Sequence, residues 1–193
     1  MKSNMATKKL SKVNIIAIVI VCVLTVAFAI FLPLYLKHNK TNRNLYKEEK
    51  IKFTAFNKEI GAFTLEDLLA LPEVKEIEFK AMYDTSSSDG VEKTYVGVEL
   101  KAVLKALKID LTYAHHISFF GGDGINKIYS VDDVLKDDNV YIAFKVEGVP
   151  FNVGIDALAY TKKAEDGGPF VVIRKADRFS QHRCKLLTEV KVE

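Results

Sequence analysis

One long apolar stretch opens the chain, and many short ones follow it. The long stretch is residues 14–36, NIIAIVIVCVLTVAFAIFLPLYL, 23 residues without a charge. At ~1.5 Å per residue, a helix of this length crosses the ~30 Å hydrocarbon core of a bilayer. Ala27 and Ala29 supply the small-residue alternation of a cleavage site. However, the apolar part of a cleaved signal is only ~7–15 residues long, and this one runs on past the cut. Cys22 is preceded by Ile20 and Val21 rather than the small residues of a lipoprotein site. The stretch therefore reads as an uncleaved anchor behind a basic tail at residues 1–13. Residues 37–52 are polar and charged and read as a tether, in one form a helical extension of the anchor.

From residue 53 to residue 193 the pattern is that of a folded domain. Ile51, Phe53 and Ala55 alternate as a strand that turns at Gly61. Thr64 caps a helix over 65–71, closed by Pro72. Residues 74–82 alternate as a strand, and 84–90 form a small-polar loop. Residues 91–96 lead through Gly97 into a helix over 99–107, with Leu100, Val103, Leu104 and Leu107 on one face. The stretch 117–150 then reads as a short buried strand, a glycine turn carrying Asp123, a helix of about two turns and a strand over 140–144. Ser130 with Asp133 is the capping pair of that helix. A Gly-x-Pro turn closes the stretch. A short helix around 155–160, a charged loop over 162–168 and strands over 170–173 and 186–192 complete the chain. Strands interrupted by short helices predict an α+β fold with a mixed β-sheet.

Charge changes the picture in two ways. The 193 residues carry 28 basic and 25 acidic side chains, a net +3. Residues 1–36 hold four lysines and no acid, which leaves 24 basic against 25 acidic residues in 37–193. A nearly neutral domain argues against a nucleic-acid surface, which needs clustered, unopposed Lys and Arg. The N-terminal lysines place that end in the cytoplasm and the C-terminal domain outside the cell membrane, on a single-pass chain. Lysines 37, 40, 47 and 50 and Arg43 follow the apolar stretch, so the asymmetry is small.

Candidate chemistry is sparse. Cys184 stands alone in the domain, so the domain has no disulfide of its own. His115 and His116 are adjacent, so on a strand they point to opposite faces and cannot grip one ion. No metal motif is present. Gly121-Gly122-Asp123-Gly124 lacks the Gly-Lys-Ser/Thr ending of a phosphate loop and reads as a tight turn. The densest set is Arg174, Lys175, Arg178, His182, Arg183 and Lys185, beside Gly167 and Gly168. It suits a small anionic ligand, since arginine grips phosphate with two parallel bonds and lysine acts as a point charge. A solvated basic loop, or pairing with Asp166 and Asp177, accounts for the same residues.

Several pieces, taken in order, carry a resemblance. They are TLEDLLALP at 64–72, YVGVEL at 95–100 with Val103 and Leu104, the Asp123–Gly124 turn, VYIAFKVEG at 140–148 and GGPF at 167–170. Over residues 53–193 the chain resembles the small domain of the sulfite-oxidase-type molybdopterin oxidoreductase superfamily. The resemblance implies a molybdopterin cofactor and a set of Arg, His and Lys that holds its phosphate, ending in a lysine before an apolar strand. Lys185 matches that lysine. Ser180, His182 and Arg183 lie in the corresponding loop, preceded by Arg174 and Arg178.

The family's metal-ligating cysteine falls in the 83–89 loop, where this chain has Asp-Thr-Ser-Ser-Ser-Asp, so the residues from Thr85 and Ser86 to Ser88 would line the metal. The N-terminal portion of the family is replaced by anchor and tether, and the tryptophan usual after the lysine is Leu186. Three functions follow as expectations. The first is a membrane-anchored, non-catalytic module for a small anionic ligand or a membrane redox partner. The second is an active molybdopterin oxidoreductase with non-cysteine ligation. The third is a cell-surface interaction domain without cofactor.

Overall fold

The computed structural model describes residues 12–85, 88–151 and 167–193. The expected helix at 155–160, most of the 162–168 loop, Asp166 and Ser86 lie outside the described residues. The chain divides into two compact units, Met1–His38 and Asn39–Glu193.

The apolar stretch is helical, as its length and composition dictate. It belongs to helix α1, Lys12–Lys47, which carries the only described segment long and apolar enough to cross a membrane, Ile16–Lys37. Thr25 returns its hydroxyl to the Val21 carbonyl at 2.8 Å, so this polar side chain is satisfied within the helix. The helix runs on through the tether region to Lys47, and the first strand begins at Ile51. Tyr46 near its end is buried.

Ten described strands form two sheets rather than one. The first contains β1 (Ile51–Ala55), β2 (Lys58–Phe63), β5 (His116–Gly121), β6 (Asn126–Ser130) and β10 (Leu187–Val192), in the order β2-β1-β10-β5-β6. The pair β1–β10 is parallel and the others are antiparallel, so this sheet is mixed. The second contains β3 (Ile77–Thr85), β4 (Ser88–Glu99), β7 (Val140–Val146), β8 (Val149–Pro150) and β9 (Val171–Arg174). There β7 pairs with β4 on one edge, while β8 and β9 share the other.

Strand β7 shows why the pattern yields this arrangement. Its run Val140-Tyr141-Ile142-Ala143-Phe144 is buried throughout. Alternation sends Ile142 and Phe144 into the main core and Tyr141 and Ala143 into a second cluster. The main core gathers Phe53, Val190 and Phe119 of the first sheet, Val98 and Val172 of the second, and Leu68, Leu104 and Val134 of the short helices. Those helices are α2 (Leu65–Leu69), α3 (Leu100–Ala106) and α4 (Val131–Leu135). Gly97 allows β4 to bulge against β7, because a Cβ there would lie 2.5 Å from the Ile142 carbonyl oxygen.

Three local readings change. Strand β6 stands where turn and helix were expected to adjoin, and it pairs with β5. Its alternation is illegible because Ile128 is exposed and only Tyr129 is buried. Helix α4 is about one and a half turns long, with the Ser130 cap in place: the hydroxyl accepts from the Asp133 amide at 3.1 Å. Much of the 84–90 loop is strand, since β3 runs to Thr85 and β4 starts at Ser88. Partnering in a hairpin overrides the weak strand propensity of small polar residues.

Candidate functional site

Strand β9 hands the chain to a loop that returns through a 3-10 turn, Ser180–His182, into β10. The six expected donors lie along this loop and separate into two groups. Arg174 is occupied structurally. Its Nη1 meets Asp133 Oδ2 at 2.6 Å, its Nη2 and Nε meet Asp177 Oδ1 at 2.6 and 3.0 Å, and its guanidinium lies over the Tyr129 ring. Lys175 is paired with Asp138 at 2.5 Å. Pairing with Asp177, one of the alternatives the sequence left open, is thus what Arg174 does.

The remaining residues fasten the loop to the β3–β4 hairpin. Arg178, largely exposed, reaches Asp84 Oδ2 with its Nε at 3.1 Å, and the Ser180 hydroxyl donates to the Asp84 carbonyl at 2.9 Å. Arg183 is buried. Its Nη1 donates to the Tyr95 hydroxyl at 2.7 Å and its Nη2 to the Met82 carbonyl at 2.5 Å, while its buried Nε has no partner. The His182 carbonyl accepts from the Tyr129 hydroxyl at 3.0 Å, and the residue itself is exposed. Thr85 ends β3 opposite Ser88.

Lys185 packs its side-chain stem against a glycine. Its stem lies on Gly167, where a Cβ would come within 2.7–2.8 Å of the lysine's Cβ, Cγ and Cδ. The next residue, Leu186, sits at φ +53 with its amide donating to the Gly167 carbonyl at 2.7 Å. A left-handed leucine is a strained placement that the surrounding bonds enforce.

These contacts build a cavity of about 100 Å³ in which aromatic and cationic side chains meet. Tyr83 and Tyr95 both line it, and the Arg183 guanidinium lies 4.9 Å from the Tyr95 ring centroid. The ammonium of Lys93 lies 4.5 Å from the Tyr83 ring centroid, the Arg183 guanidinium 5.5 Å and the Lys185 ammonium 5.8 Å. No carboxylate lines this cavity among the described residues. Burial pushes the Tyr95 phenol upward, more than Arg183 pulls it down, so it remains a neutral hydroxyl. Its oxygen already accepts from Arg183, which leaves its own hydrogen for an acceptor in the cavity.

The structure therefore brings Arg183 and Lys185 together at the cavity and sets Ser180 beside them in an adjoining cleft. Arg174, Arg178 and His182 line neither. Tyr83, Lys93 and Tyr95 were missed. The signal was the alternation of Lys93 and Tyr95 on one face of β4, with Tyr83 diagonal to Lys93 across the hairpin.

Donor chemistry separates the two ends of a molybdopterin. The cations fit a phosphate. The metal end is not fitted: Cys184, the domain's one thiol, is fully buried, pushed well up by that burial, and points its sulfur to the Lys185 carbonyl at 3.8 Å. Among the described residues no group of three or more His, Cys, Asp or Glu could hold a metal ion.

The domain has a mixed α+β fold that it shares, at a distance, with a solved oxidoreductase. In particular it is similar to the sulfane dehydrogenase SoxCD from Paracoccus pantotrophus, at 15% identity and a TM-score of 0.57, over 76% of this chain. The match spans 38% of that chain, so the present chain accounts for well under half of the enzyme chain's length. No family model and no curated protein matches the sequence.

Proposed function

We infer that the chain is a membrane-anchored binding module for a small phosphate-bearing anion, built on an oxidoreductase fold without its metal chemistry. One observation carries this reading: Lys93, Arg183 and Lys185 converge on Tyr83 in a cavity that no described carboxylate lines. Three positive charges gathered around one ring favour an anion, and the Tyr95 hydroxyl adds a neutral donor. Molybdopterin, through its phosphate alone, is one such anion, and the resemblance of the sequence supports it. Residues 1–13 are the cytoplasmic tail, 14–36 the single-pass anchor and 37–52 the tether. The binding domain, 53–193, faces outward from the cell membrane, as the N-terminal lysines favour. A role as accessory to a membrane redox partner is supported by the resemblance alone.

Calorimetric titration of pyrophosphate into the full chain in detergent micelles tests this reading. Lys93→Ala and Lys185→Ala should each weaken binding about tenfold or more, the effect of losing one bond to a charged group. Arg178→Ala, outside the cavity, should leave it unchanged. Absence of saturable binding, or equal losses from Arg178→Ala, contradicts the reading.

A further inference from the structure

Arg183 and Lys185 also border a second space, a cleft of about 370 Å³ between the Asp123 turn and the 3-10 turn. Its chemistry differs from that of the cationic cavity. Asp84 and Asp123 stand in its lining with Lys127 and the two shared cations, and Ser180 and Gln181 add neutral polar groups. Ile125 and Phe179 complete it, 43% and 41% exposed, so it carries an apolar lip open to solvent.

We propose that this cleft binds a small zwitterion bearing an apolar side chain, a free amino acid of the leucine type. Charge selects among the candidates. A simple cation entering here meets Lys127, Lys185 and Arg183, and a simple anion meets Asp84 and Asp123. A molecule with both charges suits this mixed lining: its ammonium would face Asp123, its carboxylate Lys127 and Lys185, and its side chain Ile125 and Phe179. The Asp123 carboxylate is pre-set for this by the Ile125 amide, which donates to Oδ1 at 3.0 Å. Partial burial raises Asp123, an effect Lys127 and Lys185 work against, and an incoming ammonium would act in the same sense as those lysines. The cleft also falls within the ~300–1,000 Å³ of small-ligand sites.

The proposal stands on its own cleft and separates experimentally from the pyrophosphate reading. Free leucine, N-acetylleucine and leucinamide are titrated into the full chain in micelles, with pyrophosphate in parallel. Leucine should bind. Loss of either charge, in N-acetylleucine or leucinamide, should weaken it about tenfold or more. Asp123→Asn and Lys127→Gln should each reproduce that loss while pyrophosphate binding stays within twofold of the wild type, which also shows the variants to be folded. Equal binding of N-acetylleucine and leucine, unchanged leucine affinity in both variants, or no leucine binding at ~10 mM overturns the proposal.

Discussion

The Arg183 guanidinium donates to the Tyr95 hydroxyl at 2.7 Å, joining the loop after β9 to the middle of β4. The two residues are 88 positions apart in sequence, and both are buried. The bond brings the expected basic loop against the hairpin that supplies Tyr83 and Lys93. Arg183 is thus held through Nη1 and Nη2, while its buried Nε lacks a partner. Tyr95→Phe removes the Nη1 acceptor from a buried charge and should cost about 1–3 kcal/mol. Chemical denaturation of the full chain, read by a domain-specific signal, checks it.

Arg174 gives the opposite expectation for a neighbouring arginine. It is held between Asp133 and Asp177 on the Tyr129 ring and lines neither cavity nor cleft. Arg174→Met strands the buried Asp177 carboxylate. The cost is about 2–4 kcal/mol, below the ~3–5 of a fully buried pair because the guanidinium is partly exposed. Pyrophosphate affinity should not change. Lys93→Ala should show the reverse, with affinity lost and stability kept.

Stability should fall in acid partly through Asp133. Partial burial raises this carboxyl, but bonds from the Ser130 hydroxyl and Arg174 outweigh that and hold it below the ordinary value. A depressed carboxylate contributes stability that is full above the unfolded value, about 3.9, and is lost as pH falls through the folded one. Denaturation midpoints measured from pH ~5 down to pH ~2 should therefore drop less steeply for Asp133→Asn than for the wild type.

Gly167 should matter for the ligand more than for the fold. Alanine there enters a left-handed backbone at φ +69, at a cost of about 1–2 kcal/mol, and drives its Cβ into the Lys185 stem. The lysine must move, and pyrophosphate affinity should fall with it. Gly97→Ala meets the Ile142 carbonyl oxygen instead, a backbone atom that cannot step aside, and should compromise the domain itself. Paired denaturation and titration curves separate the two effects.

Much of the architecture was legible because it rests on local rules. Thr64 and Ser130 cap the helices they were expected to cap, since an N-cap needs only a hydroxyl at the right offset. The run at 140–144 is the strand it was expected to be, buried throughout. What stayed hidden was non-local. Strand β6 shows one buried side chain and exists through its pairing with β5. The hairpin tip looked like a loop because its residues are small and polar.

The candidate site was half visible for the same reason. A run of six basic residues announces cations but not their partners. Which of them pair is decided by Asp133, Asp138 and Asp84, which come from other elements. Lys93 reaches the cavity only because β4 lies beside β3. Nothing in 91–96 as a sequence marks it as a neighbour of Lys185.

The measurement closest to the central claim is the molybdenum and pterin content of the full chain, purified folded in micelles from cells that make the cofactor. The account holds that the cations around Tyr83 receive a phosphate-bearing anion and that the described residues place no metal-ligating group. It predicts molybdenum far below one atom per chain, with or without bound pterin. Molybdenum and pterin both near one per chain would contradict it.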